Sequence, residues 1–228
     1  MKLLKLITFC GLTLLLFACN NENFSIVAIK TAPSDFESDT VTYWTAGVAE
    51  YLSAASLDTI KLSAARDTLP TGLDSTKYAF HVYSRNPGTS LFTYIKRQIT
   101  GLNPGTGYNV VFEISLGTNY PQNAVAGASV YLKAGASPIQ PSTDKQYKFN
   151  LSKGTGAADG KQLVSLGNVS NDTNRSGYVV VERNNGSKPV SVVSDQTGKI
   201  WLCVGFDSGY KGPTDIYFDS IKATITQN

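Results

Sequence analysis

The sequence predicts an all-β protein that folds as a two-sheet jelly-roll β-sandwich. Short segments of alternating or continuous apolar residues recur along the 228-residue chain, and clusters of Gly, Pro and Asn separate them. No segment keeps a 3.6-residue apolar period between caps at both ends, which argues against a helical protein. About ten to twelve strands of this kind are expected to form two sheets around one core.

Each predicted strand is a run rich in β-branched and aromatic residues that ends at a turn signal. The segment 49–57, rich in Ala and Ser, could add one short helical turn. The predicted strands cover residues 40–52, 59–65, 77–84, 91–100, 108–118, 128–136, 145–152, 161–169, 177–184, 189–194, 199–207 and 215–225.

The N-terminus has the pattern of an export signal. A short basic start precedes an apolar run that is shorter than the ~20 residues needed to span a bilayer. The run ends in Leu16-Phe17-Ala18-Cys19, which resembles the lipobox of bacterial lipoproteins. The resemblance implies a lipid on Cys19 and an extracytoplasmic location in the bacterial cell envelope, with the outer membrane expected. An ordinary secretory signal that contains a cysteine is the alternative.

These features divide the chain into a signal peptide (1–18), a lipid-anchored tether (19–33) and one β-sandwich domain (34–228). An edge strand within the tether is also possible on its apolar content. The formal charge of the whole chain is +3, and removal of residues 1–18 takes away Lys2 and Lys5. The near-neutral remainder argues against nucleic-acid binding. Cys203 is the one cysteine of the predicted domain, so no disulfide forms there, and a small buried hydrophobe is expected.

The segment GLNPGTGY, residues 101–108, resembles the turn before the corner tyrosine of fibronectin type III domains. Those domains have ~100 residues, whereas this turn occurs once in a longer domain. A larger sandwich therefore fits the spacing, and Leu102 and Tyr108 are expected to anchor the turn to the core.

Motifs at both ends of the domain resemble jelly-roll carbohydrate-binding modules with a galactose-binding-like fold. These motifs are Asp35-Phe36-Glu37, Trp44, the turn 101–108 and the closing segment 216–221, IYFDSI. Segments 96–102, 130–136 and 205–210 also resemble a family of bacterial secreted proteins. The resemblance implies that the first and last strands lie side by side and that the domain binds a glycan.

In the resembled modules a structural Ca²⁺ often bridges the first and last strands. The ion prefers carboxylate and carbonyl oxygens. The resemblance carries Glu37 and Asp219 over as ligands, with Asp35 as a further candidate. Ser220 stands where many relatives have a second Asp, which removes one carboxylate. The alternative is that Asp219 caps a strand end and Glu37 is solvated.

Strand alternation places Trp201, Cys203 and Gly205 on one face of the strand 199–207. Small neighbours leave room beside Trp201, which could stack on a sugar ring on a concave outer face. The polar residues expected to surround it are His81, Tyr83, Arg97 and Glu113. The alternative is that Trp201 packs under a loop.

Loop tips provide a second candidate site. Tyr120 and Tyr210 lie in loops next to polar residues and are expected to be exposed, whereas Trp44 is expected in the core. Either site predicts a non-catalytic surface lipoprotein that binds a glycan or a similar polar extracellular ligand. The alternative is a structural or assembly lipoprotein that contacts a protein partner.

An enzyme, such as a jelly-roll polysaccharide lyase, is a more distant alternative. The segment SVYLKAGA resembles a stretch of jelly-roll alginate lyases, but Ser137-Pro138-Ile139-Gln140 follows it where those enzymes carry Tyr-Asn-Gln. A His81–Glu113 acid–base pair is compatible with the facing positions of the two residues, but nothing else in the sequence supports it. Phosphate-loop and dinucleotide-binding patterns are absent, and one His cannot supply a zinc cluster.

Overall fold

The computed structural model describes residues 28–38, 43–52 and 57–228. These residues form twelve strands and two short helices. The strands are β1 (Ile29–Ser34), β2 (Thr45–Ala49), β3 (Ser63–Thr68), β4 (Tyr78–Asn86), β5 (Leu91–Ile99), β6 (Gly107–Thr118), β7 (Val130–Ser137), β8 (Leu163–Asn168), β9 (Val179–Asn184), β10 (Val190–Val193), β11 (Ile200–Ser208) and β12 (Gly212–Gln227). The helices are α1 (Leu57–Ile60) and α2 (Val125–Ser129).

The strands form two antiparallel sheets, and the predicted two-sheet β-sandwich is confirmed. In the seven-stranded sheet, β6 and β4 flank the long strand β12, and β3 pairs with β4. Strands β9 and β10 pair with successive parts of β6. The five-stranded sheet has the order β2-β5-β11-β7-β8. The described residues contain no helix long and apolar enough to cross a membrane.

One hydrophobic core lies between the sheets. Alternate residues of β6 and β12 supply one side of it, among them Phe112 and Phe218, and Leu202 and Phe206 of β11 supply the other. Trp44 belongs to this core, as predicted, and its indole N–H donates to Ser34 Oγ at 3.0 Å. Because inward positions are occupied in this way, the intervening residues of each strand face outward.

The first and last strands pair, as the resemblance implies. Strand β1 is antiparallel to the C-terminal half of β12, with Ile29 opposite Thr226 and Ser34 opposite Ile221. Among the described residues, β1 therefore lies mostly within the predicted tether 19–33, where an edge strand is the alternative that the sequence allows. Backbone pairing with β12 accounts for this strand, since the β1 sequence IKTAPS alternates only weakly.

A long connection, residues 138–162, lies over the outer face of the five-stranded sheet, and we call it the cover segment. The strand predicted at 145–152 does not form there, although Thr143 and Phe149 make an isolated bridge. Phe149 and Leu151 instead pack onto Phe92 and Cys203 of the sheet. Tertiary burial of these two apolar side chains replaces regular strand pairing.

The turn 101–108 joins β5 to β6 at one end of the sandwich. Tyr108 is 2% exposed, and its phenol oxygen accepts a hydrogen bond from the Asn103 amide at 2.9 Å. Leu102 packs against the core, and its amide donates to the Gly198 carbonyl at 3.0 Å. The predicted anchoring of this turn by Leu102 and Tyr108 is confirmed.

Candidate functional site

The outer face of the seven-stranded sheet carries a group of aromatic and acidic side chains. His81 and Tyr83 of β4 lie opposite Tyr217 and Asp215 of β12, and all four are half-buried. Tyr178, from the loop before β9, completes the group. We call His81, Tyr83, Tyr178, Asp215 and Tyr217 the outer aromatic site.

Two rings form the centre of this site. The His81 and Tyr217 rings are stacked with centroids 4.2 Å apart and 4° between their planes. The Tyr178 ring meets Tyr217 edge-on, with centroids 5.6 Å apart. Stacked and edge-on pairs are favourable beyond the burial of their area, so the three rings position one another.

Two carboxylates flank the imidazole of His81. Its Nε2 lies 2.5 Å from Asp215 Oδ1, and the imidazole donates this hydrogen bond because a carboxylate only accepts. Asp67 Oδ2 lies 3.8 Å from Nδ1 on the opposite side of the ring. The Tyr178 hydroxyl donates to Asp215 Oδ2 at 3.4 Å.

The phenols of Tyr178 and Tyr217 remain protonated donors. Burial raises the pKa of Tyr178, and the charge of Asp215 raises it further. Burial also raises the pKa of Tyr217. The site therefore combines hydroxyl donors, carboxylate acceptors and aromatic surface, which is the chemistry that recognises a polyhydroxylated ligand.

Tyr120 holds the backbone of β12 next to this site. The expectation that Tyr120 is exposed is wrong. It packs against the core, its hydroxyl donates to the Pro213 carbonyl at 3.3 Å, and it accepts the Asp215 amide at 2.9 Å. Burial raises its pKa. Both bonds hold β12 where it presents Asp215, so Tyr120 positions the site.

The expected His81–Glu113 pair does not form. Glu113 faces outward on β6, but its Oε2 lies 2.6 Å from Lys222 Nζ. Gly117 is the β6 residue in register with Tyr217, so Glu113 lies four residues away from the site along its strand. That separation is roughly 13 Å, and the carboxylate partner of His81 is Asp215 instead.

Trp201 lies on the outer face of the other sheet, so it does not share a site with His81, Tyr83 and Glu113. Trp201 faces outward as expected, but the described residues leave no free space for a ligand along the strand beside it. Cys203 is fully buried, and an added Cβ on Gly205 would lie 2.9 Å from the Phe92 ring. Trp201 stays half-buried at the end of this face, with Lys96 Nζ 5.9 Å from its ring.

Arg97 does not join Trp201 either. It lies opposite the core residue Leu202, so its side chain points between the sheets while Lys96 points outward. Its Nη1 donates to Ser34 Oγ at 2.8 Å and to the Pro33 carbonyl at 3.2 Å. Strand alternation alone does not fix which strands pair, and the observed register places Arg97 on the opposite face of the sheet from Trp201.

Two further residues identified from the sequence, Tyr210 and Cys203, both pack against core residues. Tyr210 is not an exposed loop tip, because it packs against the core and its ring lies 2.4 Å from where a Cβ on Gly212 would be. Cys203 is the buried hydrophobe that was expected, and burial raises the pKa of its thiol. Cys19 and the signal peptide lie outside the described residues.

The three predicted calcium ligands each contact neutral donors. Glu37 accepts the Tyr78 amide at 3.3 Å, Asp35 accepts the Glu37 amide at 3.3 Å, and Asp219 accepts the Ser115 hydroxyl at 3.1 Å. The described part of the chain contains no group of three His, Cys, Asp or Glu side chains that could hold a metal ion. Calcium binding here would require backbone carbonyls as further ligands and stays a prediction.

The sequence analysis does not identify Asp67, Tyr178, Asp215 or Tyr217 as site residues. The alternation of Asp215 and Tyr217 with the apolar Ile216 and Phe218 in DIYFD indicates an outward face and could have identified two of the missed residues. Their position beside His81 depends on the β4–β12 register, which joins residues 134 positions apart.

No family model matches the sequence, and no curated protein matches it. Solved structures similar to this chain include carbohydrate-binding modules of the β-sandwich type. The mannan-recognising module TmCBM27 has 14% identity and a TM-score of 0.39 over 89% of this chain and 98% of its own.

A carbohydrate-binding module of promiscuous specificity has 13% identity and a TM-score of 0.34 over 84% of this chain. The enzymatically active domain of tailspike protein 4 of bacteriophage CBA120 has 11% identity and a TM-score of 0.33 over 82%. The chain spans 54% of the former and 20% of the latter. At these scores the likenesses carry no conclusion about a ligand or an activity.

Proposed function

We propose that this protein binds a glycan without catalysis, and that the binding surface is the outer aromatic site. The observation that carries the proposal is the His81–Tyr217 stack, which lies between the carboxylates of Asp67 and Asp215 on an outer sheet face. Sugars present hydroxyls and apolar C–H groups together, and this arrangement offers partners for both.

The contrast between the two sheet faces supports this choice. Phe149 and Leu151 of the cover segment are buried on the five-stranded sheet, which leaves little of that face for a ligand. The five residues of the outer aromatic site remain half-buried. These side chains therefore keep exposed surface that a ligand can contact.

The acceptor positions of Asp215 also support the binding of sugar hydroxyls. Asp215 Oδ1 accepts from His81 and Oδ2 accepts from Tyr178, so two hydrogen bonds hold the carboxylate in place. A carboxylate has about four acceptor positions, which leaves room for sugar hydroxyls.

A glycan array followed by affinity electrophoresis tests the proposal. Tyr217→Ala is expected to weaken binding about tenfold or more, because central aromatic residues carry much of an interface's energy. Trp201→Ala on the opposite sheet is the matched control and should bind as the unmodified protein does. Loss of binding in Trp201→Ala but not in Tyr217→Ala would refute the site, and binding to no polysaccharide would refute the function.

A stable protein that co-purifies while every glycan test is negative would favour the structural or assembly alternative. Turnover of a polysaccharide that is lost in His81→Ala would favour an enzyme.

We further propose that the chain is a lipoprotein anchored through Cys19 in the bacterial envelope, which would present the domain outside the cytoplasm. The signal-like residues 1–18 and the lipobox-like sequence support this. Metabolic labelling with an alkyne fatty acid in a bacterial host should label the protein but not Cys19→Ser, and the labelled form should fractionate with the outer membrane. Labelling that persists in Cys19→Ser would contradict the anchor.

A further inference from the structure

A cleft of about 350 Å³ lies between β1 and the end of β5, where the two sheets separate. Strand β2 pairs with β5 only from Phe92 to Lys96, so the edge of β5 beyond Lys96 is not paired with β2. Lys30 of β1 and Arg97 of β5 both line this cleft. Neither residue belongs to the outer aromatic site.

Two hydrogen bonds hold the guanidinium of Arg97 in place, and its other N–H groups are not used by these bonds. Its Nη1 makes both of its hydrogen bonds to β1, to the Pro33 carbonyl and to Ser34 Oγ. Among the described residues, no buried side-chain nitrogen or oxygen lacks a partner. Its Nε and Nη2 make no hydrogen bond to those residues, so they face solvent and can donate to a ligand.

Lys30 places a second positive charge at the same cleft, and its ammonium group donates to the Thr100 carbonyl. Within the described parts of the chain, neither Lys30 nor Arg97 has a carboxylate within 4 Å, and no acidic residue lines the cleft. Burial lowers the pKa of Arg97, while Tyr43 opposes this. Two partly desolvated cations without a counter-charge form a site that an anion would neutralise.

We infer that this cleft binds the carboxylate group of an acidic saccharide. The planar fork of a guanidinium matches the two oxygens of a carboxylate, and Lys30 adds a point charge. Tyr43 lies 5.2 Å from the Arg97 guanidinium carbon and offers an exposed ring beside the anion. That the ligand is a saccharide rests on the proposed function. That it carries a carboxylate rests on the two cations of the cleft.

The cleft and the outer aromatic site are far enough apart to be tested separately. Lys30 pairs with Ile225, which lies eight residues beyond Tyr217 on β12. That separation corresponds to roughly 26 Å along the strand, and Ser34, which Arg97 contacts, pairs with Ile221, roughly 13 Å beyond Tyr217. A variant at one site should therefore leave the side chains of the other in place.

Isothermal titration of the full chain with tri-galacturonate and with neutral galactotriose tests the inference. Arg97→Gln and Lys30→Gln are each expected to weaken tri-galacturonate binding about tenfold or more and to leave galactotriose binding unchanged. Lys145→Gln, which removes an exposed charge of the cover segment, is the matched control. Lys30→Gln keeps the Arg97 bonds to β1, so it remains informative if Arg97→Gln does not fold.

Each outcome separates the two proposals. Loss in both cleft variants with full binding in Tyr217→Ala supports the cleft and refutes the outer aromatic site. Loss in Tyr217→Ala with none in the cleft variants refutes the cleft. Binding to phosphatidylglycerol vesicles but not to tri-galacturonate also refutes it, because the anion would then be a lipid phosphate.

Discussion

The imidazole of His81 and the phenol of Tyr217 lie parallel across two neighbouring strands, with ring centroids 4.2 Å apart. The pair forms because β4 and β12 place both residues on the outer face in direct register. Cross-strand aromatic pairs stabilise a sheet, and here the pair also carries the polar atoms of the outer aromatic site.

Two replacements of His81 should therefore separate its contribution to stability from its contribution to glycan binding. His81→Phe keeps an aromatic ring against Tyr217 but loses the bond to Asp215, so we expect near-normal stability and weak glycan binding. His81→Ala loses the ring pair as well and should cost about 0.5–1.5 kcal/mol more. Urea unfolding and glycan titration measure the two effects, and equal stability of both variants would contradict the stabilising role of the stack.

The buried pair Lys153–Asp207 should matter far more to folding than the exposed pairs. Lys153 Nζ lies 2.9 Å from Asp207 Oδ1, the two side chains are 8% and 7% exposed, and the Gly156 amide donates to Asp207 Oδ2. Lys153→Met leaves this carboxylate buried without its cation and should lower the free energy of unfolding by about 3–5 kcal/mol.

Lys188→Met provides the control, because Lys188 pairs with Asp159 while 64% exposed. We expect a loss of at most about 1 kcal/mol there. A double variant, Lys153→Met with Asp207→Leu, should recover part of the lost stability, since it removes the unpaired charge. Similar small losses in Lys153→Met and Lys188→Met would show that the burial of the first pair has no energetic consequence.

The pair Asp172–Arg183 gives the stability a defined dependence on pH. The hydrogen bond from Arg183 lowers the pKa of Asp172 in the folded protein. A lowered folded pKa contributes stability above the unfolded value of about 4, and that contribution disappears as the pH falls through the folded pKa.

Asp172→Asn should therefore be less stable than the unmodified protein at pH 7, and the two should converge as the pH falls from about 4 through the lowered folded pKa of Asp172. The side chain of Asp172 is 56% exposed, so solvent screening limits the difference to about 0.5–1 kcal/mol. Thermal unfolding at pH 3 and pH 7 measures it. A difference that stays constant across this range would exclude the ion pair as its cause.

The sequence predicts the fold better than the site, and particular residues show why. Local alternation is sufficient to place Phe112 and Leu202 in the core and to turn Trp201 outward. It cannot say that Trp201 and His81 belong to different sheets, because that depends on strand pairing. The cover segment shows the same limit, since Phe149 resembles a strand residue and is used to cover a sheet face.

Calcium should stabilise the protein if Glu37 and Asp219 hold the ion, as the family resemblance implies. A ligand that binds only the folded state raises the melting temperature, so a chelator is expected to lower it. Glu37→Gln should melt at the same temperature with and without the chelator. An unmodified protein whose melting temperature ignores both calcium and chelator would remove this prediction.

The hydroxyl of Tyr108 should anchor the turn 101–108 by a measurable amount. The ring is buried in the core, and the Asn103 amide donates to the hydroxyl at 2.9 Å. Tyr108→Phe keeps the ring and leaves this amide without its partner, which should cost about 0.5–1.5 kcal/mol in urea unfolding. Tyr147→Phe is the control, because the Tyr147 hydroxyl bonds to none of the described residues and its ring contact with Tyr51 persists. Equal stability of the two variants would show that burial of the Tyr108 ring alone holds the turn.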